Sequence, residues 1–437
     1  MTRSAALAVT LVAGAAAFAS PALAAPALLA HQAPLVIDTA ATAWILTSTA
    51  LVLLMTLPGL ALFYGGMVRK KNIISVVAQS AAAFAIVSVL WFLVGYSLSF
   101  GKGPDAINGF IGGVQAAFLN GVTAQTAHSL LPGLPELLFV SFQMTFAIIT
   151  PALIAGAFAE RMKFSASLLF FALWHLIVYA PICHQVWGGG YLGGLGVLDF
   201  AGGAVVHINA GIAGLVCALV LGPRHGFGRD NMAPANLVYS AIGTGLLLVG
   251  WLGFNAGSAG AADALAATAA FNTILAAGAA ALGWMTIEWF DRKRPTLLGL
   301  LSGVVGGLVA ITPAAGFVDP KGAFFIGLIG GPACYAGAVW LKHALKYDDS
   351  LDAFGVHGVG GIVGALLTGV FATTTVNALS EGATVWKQAV GLVGVIAWSA
   401  VGTFVVLMIC KFTTGLRVTK DEEVEGLDYT QHGEAIH

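Results

Sequence analysis

Charge is what this chain has least of. Lys, Arg, Asp and Glu together make up 9% of its 437 residues, against roughly a quarter in ordinary soluble domains. That is too little to cover a water-facing surface, and with 58% of residues hydrophobic the chain reads as an integral membrane protein. A net charge of −1 offers no basic surface for nucleic acid. Cysteine is also sparse. Cys183, Cys217, Cys334 and Cys410 stand apart in apolar segments, without C-x-x-C or zinc spacing, so buried inert thiols are expected. No nucleophile–base pair or metal constellation appears. The chain does not read as an enzyme, and no cofactor or metal is expected.

What it has in quantity is glycine, 57 residues, which in membranes lets helices approach closely. It also has long apolar runs. A helix needs about 20 apolar residues to cross the hydrocarbon layer. Eleven candidates fall near 41–67, 73–100, 135–159, 165–182, 200–221, 237–259, 264–290, 296–313, 322–344, 353–375 and 386–411. The segment 296–313, short and Gly-rich, is the weakest of them. Ahead of these, residues 1–24 have the layout of a cleavable secretory leader: Arg3, a short Ala-rich stretch, then Pro21 and an A-x-A ending at Ala24. This predicts a membrane domain over 25–411 and a charged tail over 412–437.

An external N-terminus puts Arg69–Lys71, Arg161 and Lys163, Arg224 and Arg229, Arg292–Arg294, Lys342 and Lys346, and Lys411, Arg417 and Lys420 on the cytoplasmic side. Only Lys102, Lys321 and Lys387 fall outside. Cytoplasmic loops collect Lys and Arg, and one helix more or fewer destroys this alternation. The expected fold is therefore an all-α bundle of eleven spans, N-out and C-in. Outer loops 101–134 and 183–199 are rich in small residues, and His184 reads there as a surface residue.

One polar pattern occurs twice. Residues 199–214 and 349–364 both read D-x7-H-x3-G-I-x-G. The fifth helix runs inward and the tenth outward, so the two copies enter from opposite sides. That is the signature of an inverted repeat, helices one to five against six to ten, with a path between the halves. Each His lies eight residues after its Asp, about 12 Å along a helix, so His207 and His357 both reach the middle of the membrane. His and the two Gly share one face. A single buried His can simply bond a neighbouring helix. Two at matched depth point to a path. Asp199 sits where Asp caps a helix, and capping and function can coexist there; Asp349 and Asp352 read as structural. The path has no Arg or Lys for anions and no carboxylate ring for metal cations. A small neutral hydrogen-bonding molecule fits: ammonia, water or a small amide.

Long ordered stretches then add a resemblance. FYGGMVRKKN (63–72), SFQMTFAIITPALIAGAFAERMKF (141–164), HQVWGGG (184–190), LDFAGGAVVHINAGIAGLV (198–216), GWLGFNAGSA (250–259), FGVHGVGGIVG (354–364) and GLDYTQHGEA (426–435) resemble the Amt branch of the Amt/Mep/Rh ammonium transporters. The resemblance covers nearly the whole chain after the leader. It implies a homotrimer in a bacterial inner membrane with one pore per subunit, carrying ammonium, with methylammonium as analogue. The implied recruitment site is Phe146, Trp187 and Ser258, with Asp199 nearby. The implied gate is Phe146 and Phe254. The twin pore histidines are His207 and His357, and Trp251 lines the pore beside them. Without the resemblance, Trp187 reads as an interfacial aromatic and the two Phe as helix packing. It further implies that the tail packs on the cytoplasmic face and that a trimeric PII signal protein docks there. The competing readings are a gas or water channel, against which an aromatic cation cage argues, and an ammonium sensor acting through a bound PII-type partner.

Overall fold

A computed structural model of the chain describes residues 36–436; the expected leader lies outside the described residues. Among the described residues ten helices are long and apolar enough to cross a membrane: α1 Thr39–Met67, α2 Lys70–Phe100, α3 Glu136–Phe158, α4 Phe164–Gly194, α5 Gly203–Leu221, α6 Leu237–Ala256, α7 Ala264–Arg292, α9 Pro320–Leu345, α10 Phe354–Phe371 and α11 Val385–Thr413. Between α7 and α9 lies α8, Leu297–Ile311, a shorter apolar helix of 15 residues. At ~1.5 Å per residue it covers about 22 Å, less than the ~30 Å hydrocarbon core. Its Val305, Leu308, Val309, Ala310 and Ile311 are buried, so it sits among other helices. The described residues hold no β-sheet, only two isolated bridge pairs.

Side-chain caps start the helices where the sequence supplies them. Asp38, Asp263, Thr296, Asp319 and Thr384 each accept a backbone N–H from the first turn of α1, α7, α8, α9 and α11, which satisfies donors the helix cannot. The exterior is apolar: Phe412 is 82% and Trp386 75% exposed. Charge goes inside, with Arg161 at 0% and Glu160 at 1%. That inversion is what lipid as solvent demands, because only internal partners can satisfy polar groups there. The four cysteines are free and buried.

Helices five apart repeat a local feature. Wide, π-type turns occur at Met55–Leu60 in α1 and Leu252–Ala256 in α6, at His175–Tyr179 in α4 and Ala336–Leu341 in α9, and at Gly203–Ile208 in α5 and Phe354–Gly358 in α10. α2 has one at Trp91–Gly95 that α7 lacks. The duplicated glycines follow the same symmetry. A Cβ on Gly211 would overlap the Gly358 backbone, and one on Gly361 would crowd Ile208 and the Gly203 carbonyl. Thus α5 and α10 approach backbone to backbone at Gly211 and Gly358. Of the second glycines, Gly214 lies against Ala157 of α3 and Ala353 just before α10, and Gly364 against Ala310 of α8.

The basic segments gather on one face. Arg69 pairs with Glu160 at 2.8 Å, Arg224 pairs with Glu160 at 3.0 Å and with Asp348 at 2.8 Å, and Arg161 donates to the Asp348 carbonyl. Arg224 follows α5, while Asp348 precedes α10, so this cluster clasps the two halves. The tail crosses the same face as two short helices, α12 Lys420–Glu425 and α13 Leu427–His432. Arg417 donates to the Leu221 carbonyl, Asn72 accepts from Leu427, and Ser75 donates its N–H to Asp428. α11 continues to Thr413, two residues into the expected tail.

Two expectations change. α4 extends to Gly194 rather than ending near 182. His184 therefore lies on a helix and is fully buried, its Nδ1 3.0 Å from the Ser99 carbonyl and its Nε2 2.7 Å from that of Asn108. It locks the 101–134 loop region onto α4 and is not a surface residue.

Candidate functional site

Between the halves, the residues singled out from sequence form one continuous line. At the end away from the basic face, Trp187 and Phe146 meet edge to face with ring centroids 5.9 Å apart. Phe146 lies over Phe254 at 4.3 Å. Phe254 is 5.8 Å from His207, and Trp251 stacks on the His207 ring at 5.3 Å. His207 in turn stacks on His357, with ring centroids 5.3 Å and Nδ1 atoms 3.3 Å apart. Phe146, Phe254, Trp251, His207 and His357 are all buried. His207, His357 and Phe254 each fall in a π-type turn, a feature that often marks functional positions in helices.

Each side chain is held from outside the line. The Trp187 indole donates to the Asp199 carbonyl at 2.9 Å. Trp251 donates to Thr312 Oγ1 at 2.9 Å, and Thr312 donates to Leu308. Ser258 spends its proton on the Phe254 carbonyl at 2.8 Å. Its oxygen lone pairs therefore remain as acceptors, suited to a donor-rich ligand. Sequence reasoning missed Thr312. It also missed Phe142, which stands 5.0 Å from Phe146 on α3; the i, i+4 spacing of the two Phe was the available signal.

Asp199 accepts four backbone N–H groups, from Gly202, Gly203, Ala204 and Val205, at 3.0, 2.6, 2.9 and 3.0 Å. Gly202 turns the chain there at φ +111°, which glycine adopts freely. A helix N-terminus carries about half a positive charge, and that of α5 stands beside the aromatic end of the line. The Asp199 carboxylate cancels it. Asp349 does the same for α10 with two N–H groups, from Ala353 and Phe354. Asp352 pairs with Lys342. On the cap geometry, Asp349→Ala is expected to cost about 1 kcal/mol. Asp199→Ala, which orphans four donors instead of two, is expected to cost more. Melting temperatures of the purified variants in detergent check the order, and equal losses would contradict it.

The two histidine Nδ1 atoms can share a single proton, so one donates while the other accepts. His207 Nε2 has no partner among the described residues. In one tautomer it is a donor, in the other an acceptor. The arrangement therefore presents a convertible hydrogen-bonding atom to whatever small molecule lies below the Phe pair.

Residues 43–436 match the family model described as "Ammonium Transporter Family". The chain belongs to the ammonium transporter family. It is accordingly a transport protein rather than an enzyme. The chain is 49% identical over 396 residues to the ammonium transporter of Bacillus subtilis, covering 89% of this chain and 96% of that one. It is 49% identical over 410 residues to that of Aquifex aeolicus, covering 92% and 94%. Among solved structures it is similar to Saccharomyces cerevisiae Mep2 at 38% identity and TM-score 0.81, covering 88% and 89%. It is also similar to a protein described as a sensor Amt protein, at 31% identity and TM-score 0.82, covering 90% and 98%. These transporters share the all-helical, multi-pass membrane fold.

Proposed function

We propose that this family member carries ammonium into the cell as ammonia, along the line from Trp187 to His357. The observation that carries this reading is the order of chemistry along the line: an aromatic and hydroxyl site, a closed Phe pair, then histidines with an unsatisfied nitrogen. Ammonium is a compact cation that must shed water. Phe146 and Trp187 replace part of that hydration through cation–π contact, worth about 2 kcal/mol when desolvated, and Ser258 accepts one of its hydrogen bonds. Asp199 removes the positive helix end that repels a cation there. Below the Phe146–Phe254 pair the described side chains on the line are Trp251, His207 and His357, none of them an Asp, Glu, Lys or Arg. A charged amine is disfavoured in that low-dielectric stretch, so the proton leaves and ammonia passes His207 and His357.

In this reading the chain crosses a bacterial inner membrane eleven times as an inverted repeat, external at its N-terminus after loss of the leader. It works as a homotrimer, and the basic face with its tail is cytoplasmic. A PII signal protein docks on that face. Retention of the transporter by its PII partner, altered by nucleotide and 2-oxoglutarate, is the expected pull-down result. No retention under any effector condition contradicts it. A second reading, ammonium sensing through such a partner with little transport, is favoured by the likeness to the sensor Amt protein.

Purified protein in liposomes, with current and internal pH recorded after an ammonium pulse, tests the main proposal. Rapid ammonium-dependent transport with no response to potassium is expected, since potassium has no proton to lose. Potassium transport matching that of ammonium refutes the mechanism, and a negligible ammonium flux favours the sensor.

A further inference from the structure

A second group of polar side chains lies beside the line, between α2 and α4, and takes no part in the mechanism above. His175 and Tyr179 are fully buried, with rings stacked 5.6 Å apart. Neither His175 Nδ1 nor Nε2 has a hydrogen-bond partner among the described residues, and Tyr179 Oη and Ser99 Oγ have none there but the Cys183 thiol. The Cys183 thiol is a weak hydrogen-bonding neighbour of both Tyr179 and Ser99, and Asp199 is a charged neighbour of Tyr179 and Cys183. His175, Tyr179 and Cys183 follow at i, i+4 and i+8 on one face of α4.

Two orphaned imidazole nitrogens, next to a buried phenol whose one recorded partner is the weakly bonding Cys183 thiol, are too many to be incidental. Each costs about 1–3 kcal/mol if it stays unsatisfied, and buried polar groups nearly always find a partner. The backbone is also shaped for the imidazole. His175 opens the π-type turn of α4 and faces that of α2. A Cβ on Gly95 would overlap His175 Nε2, so only glycine admits the ring. Trp91 closes the other side at 5.9 Å.

We propose that His175, Tyr179 and Ser99 form a second binding site, taking one or two small neutral molecules that both donate and accept hydrogen bonds. A neutral imidazole offers one donor and one acceptor, and each hydroxyl offers both. The Asp199 carboxylate is spent on four N–H groups, and among the described residues no Lys or Arg acts on His175, Tyr179 or Cys183, so an ion is not held. Two molecules have this chemistry, water and ammonia. Toward the loop-rich face the group is closed by His184, whose two nitrogens are both engaged.

The test is a structure of the full-length protein in lipid nanodiscs, at a resolution that shows ordered water, in sodium chloride and again in ammonium chloride. Density within hydrogen-bond reach of His175 and Tyr179 in both buffers identifies water. Density only with ammonium identifies ammonia. No density in either overturns the proposal. Gly95→Ala keeps every polar group but displaces the imidazole, and His175→Leu removes it. Either variant is expected to lose the density while Phe146, His207 and His357 stay in place. Density that persists unchanged in His175→Leu assigns it to other groups and also overturns the proposal. Neither result depends on transport, so the site and the proposed function stand or fall separately.

Discussion

Replacing His207 and His357 together with Leu is expected to cut ammonium-evoked current about a hundredfold while leaving the protein folded. Trp251 at the centre of the line spends its N–H on Thr312, so in the proposed path the imidazoles supply the hydrogen bonds that ammonia stripped of water needs there. A hydrogen bond of this kind contributes about 1.5 kcal/mol. Two make ~3 kcal/mol in the barrier, roughly two powers of ten in rate. The fold should tolerate the change, because the two Nδ1 atoms bond each other at 3.3 Å. Removing both partners of a buried hydrogen bond in favour of apolar groups is close to neutral. Current in reconstituted liposomes and melting temperature in detergent, measured on one preparation, separate the two effects. Wild-type current and selectivity in the double variant would sink the pore role.

Arg224→Ala is expected to show the opposite balance, a loss of about 3–5 kcal/mol of stability without a direct effect on the line. Arg224 is 9% exposed and bonds Asp348 and Glu160. Burial raises the pKa of both carboxyls, but the Arg224 guanidinium outweighs it, helped by Arg69 at Glu160 and by Arg161 at Asp348. Both therefore sit below their ordinary values of 4.5 and 3.8. Carboxyls held low stabilise the folded state above those ordinary values, and the contribution disappears as pH falls through the depressed folded ones. Wild type should thus lose stability only on strong acidification. In Arg224→Ala burial is left without its main counterweight and the carboxyls rise. The variant should gain stability as pH is lowered from 7 to 5. Melting curves across that range check the sign, and parallel curves would show that Arg224 does not govern these carboxyls.

The spans and the central line were legible in the sequence because both rest on local signals. Apolar runs and basic loops mark helices and their ends, and D-x7-H-x3-G-I-x-G carries its geometry in its spacing. The aromatics were legible only through resemblance, since nothing local separates Phe146 or Phe254 from ordinary packing among 26 Phe. What sequence could not give depends on distant partners. His184 is buried because carbonyls 85 and 76 residues away lie against its two ring nitrogens, whereas its neighbours in sequence suggest an outer loop. Arg224 reads as a loop charge until the fold brings Glu160 and Asp348 beside it. The π-type turn that carries His175 has no sequence period of its own.

The α5–α10 crossing has a mechanical consequence. Inverted repeats in many transporters work by alternating access, one half rocking against the other around a central site. Rocking needs a layer of side chains that can slide or repack. At Gly211 and Gly358 backbone lies on backbone, and the Arg224–Asp348 clasp ties the same two helices at the basic face. The halves are riveted rather than hinged. In the proposed path, passage would then need only small local motions, a Phe ring swinging or a histidine proton shifting, inside a scaffold that keeps its shape.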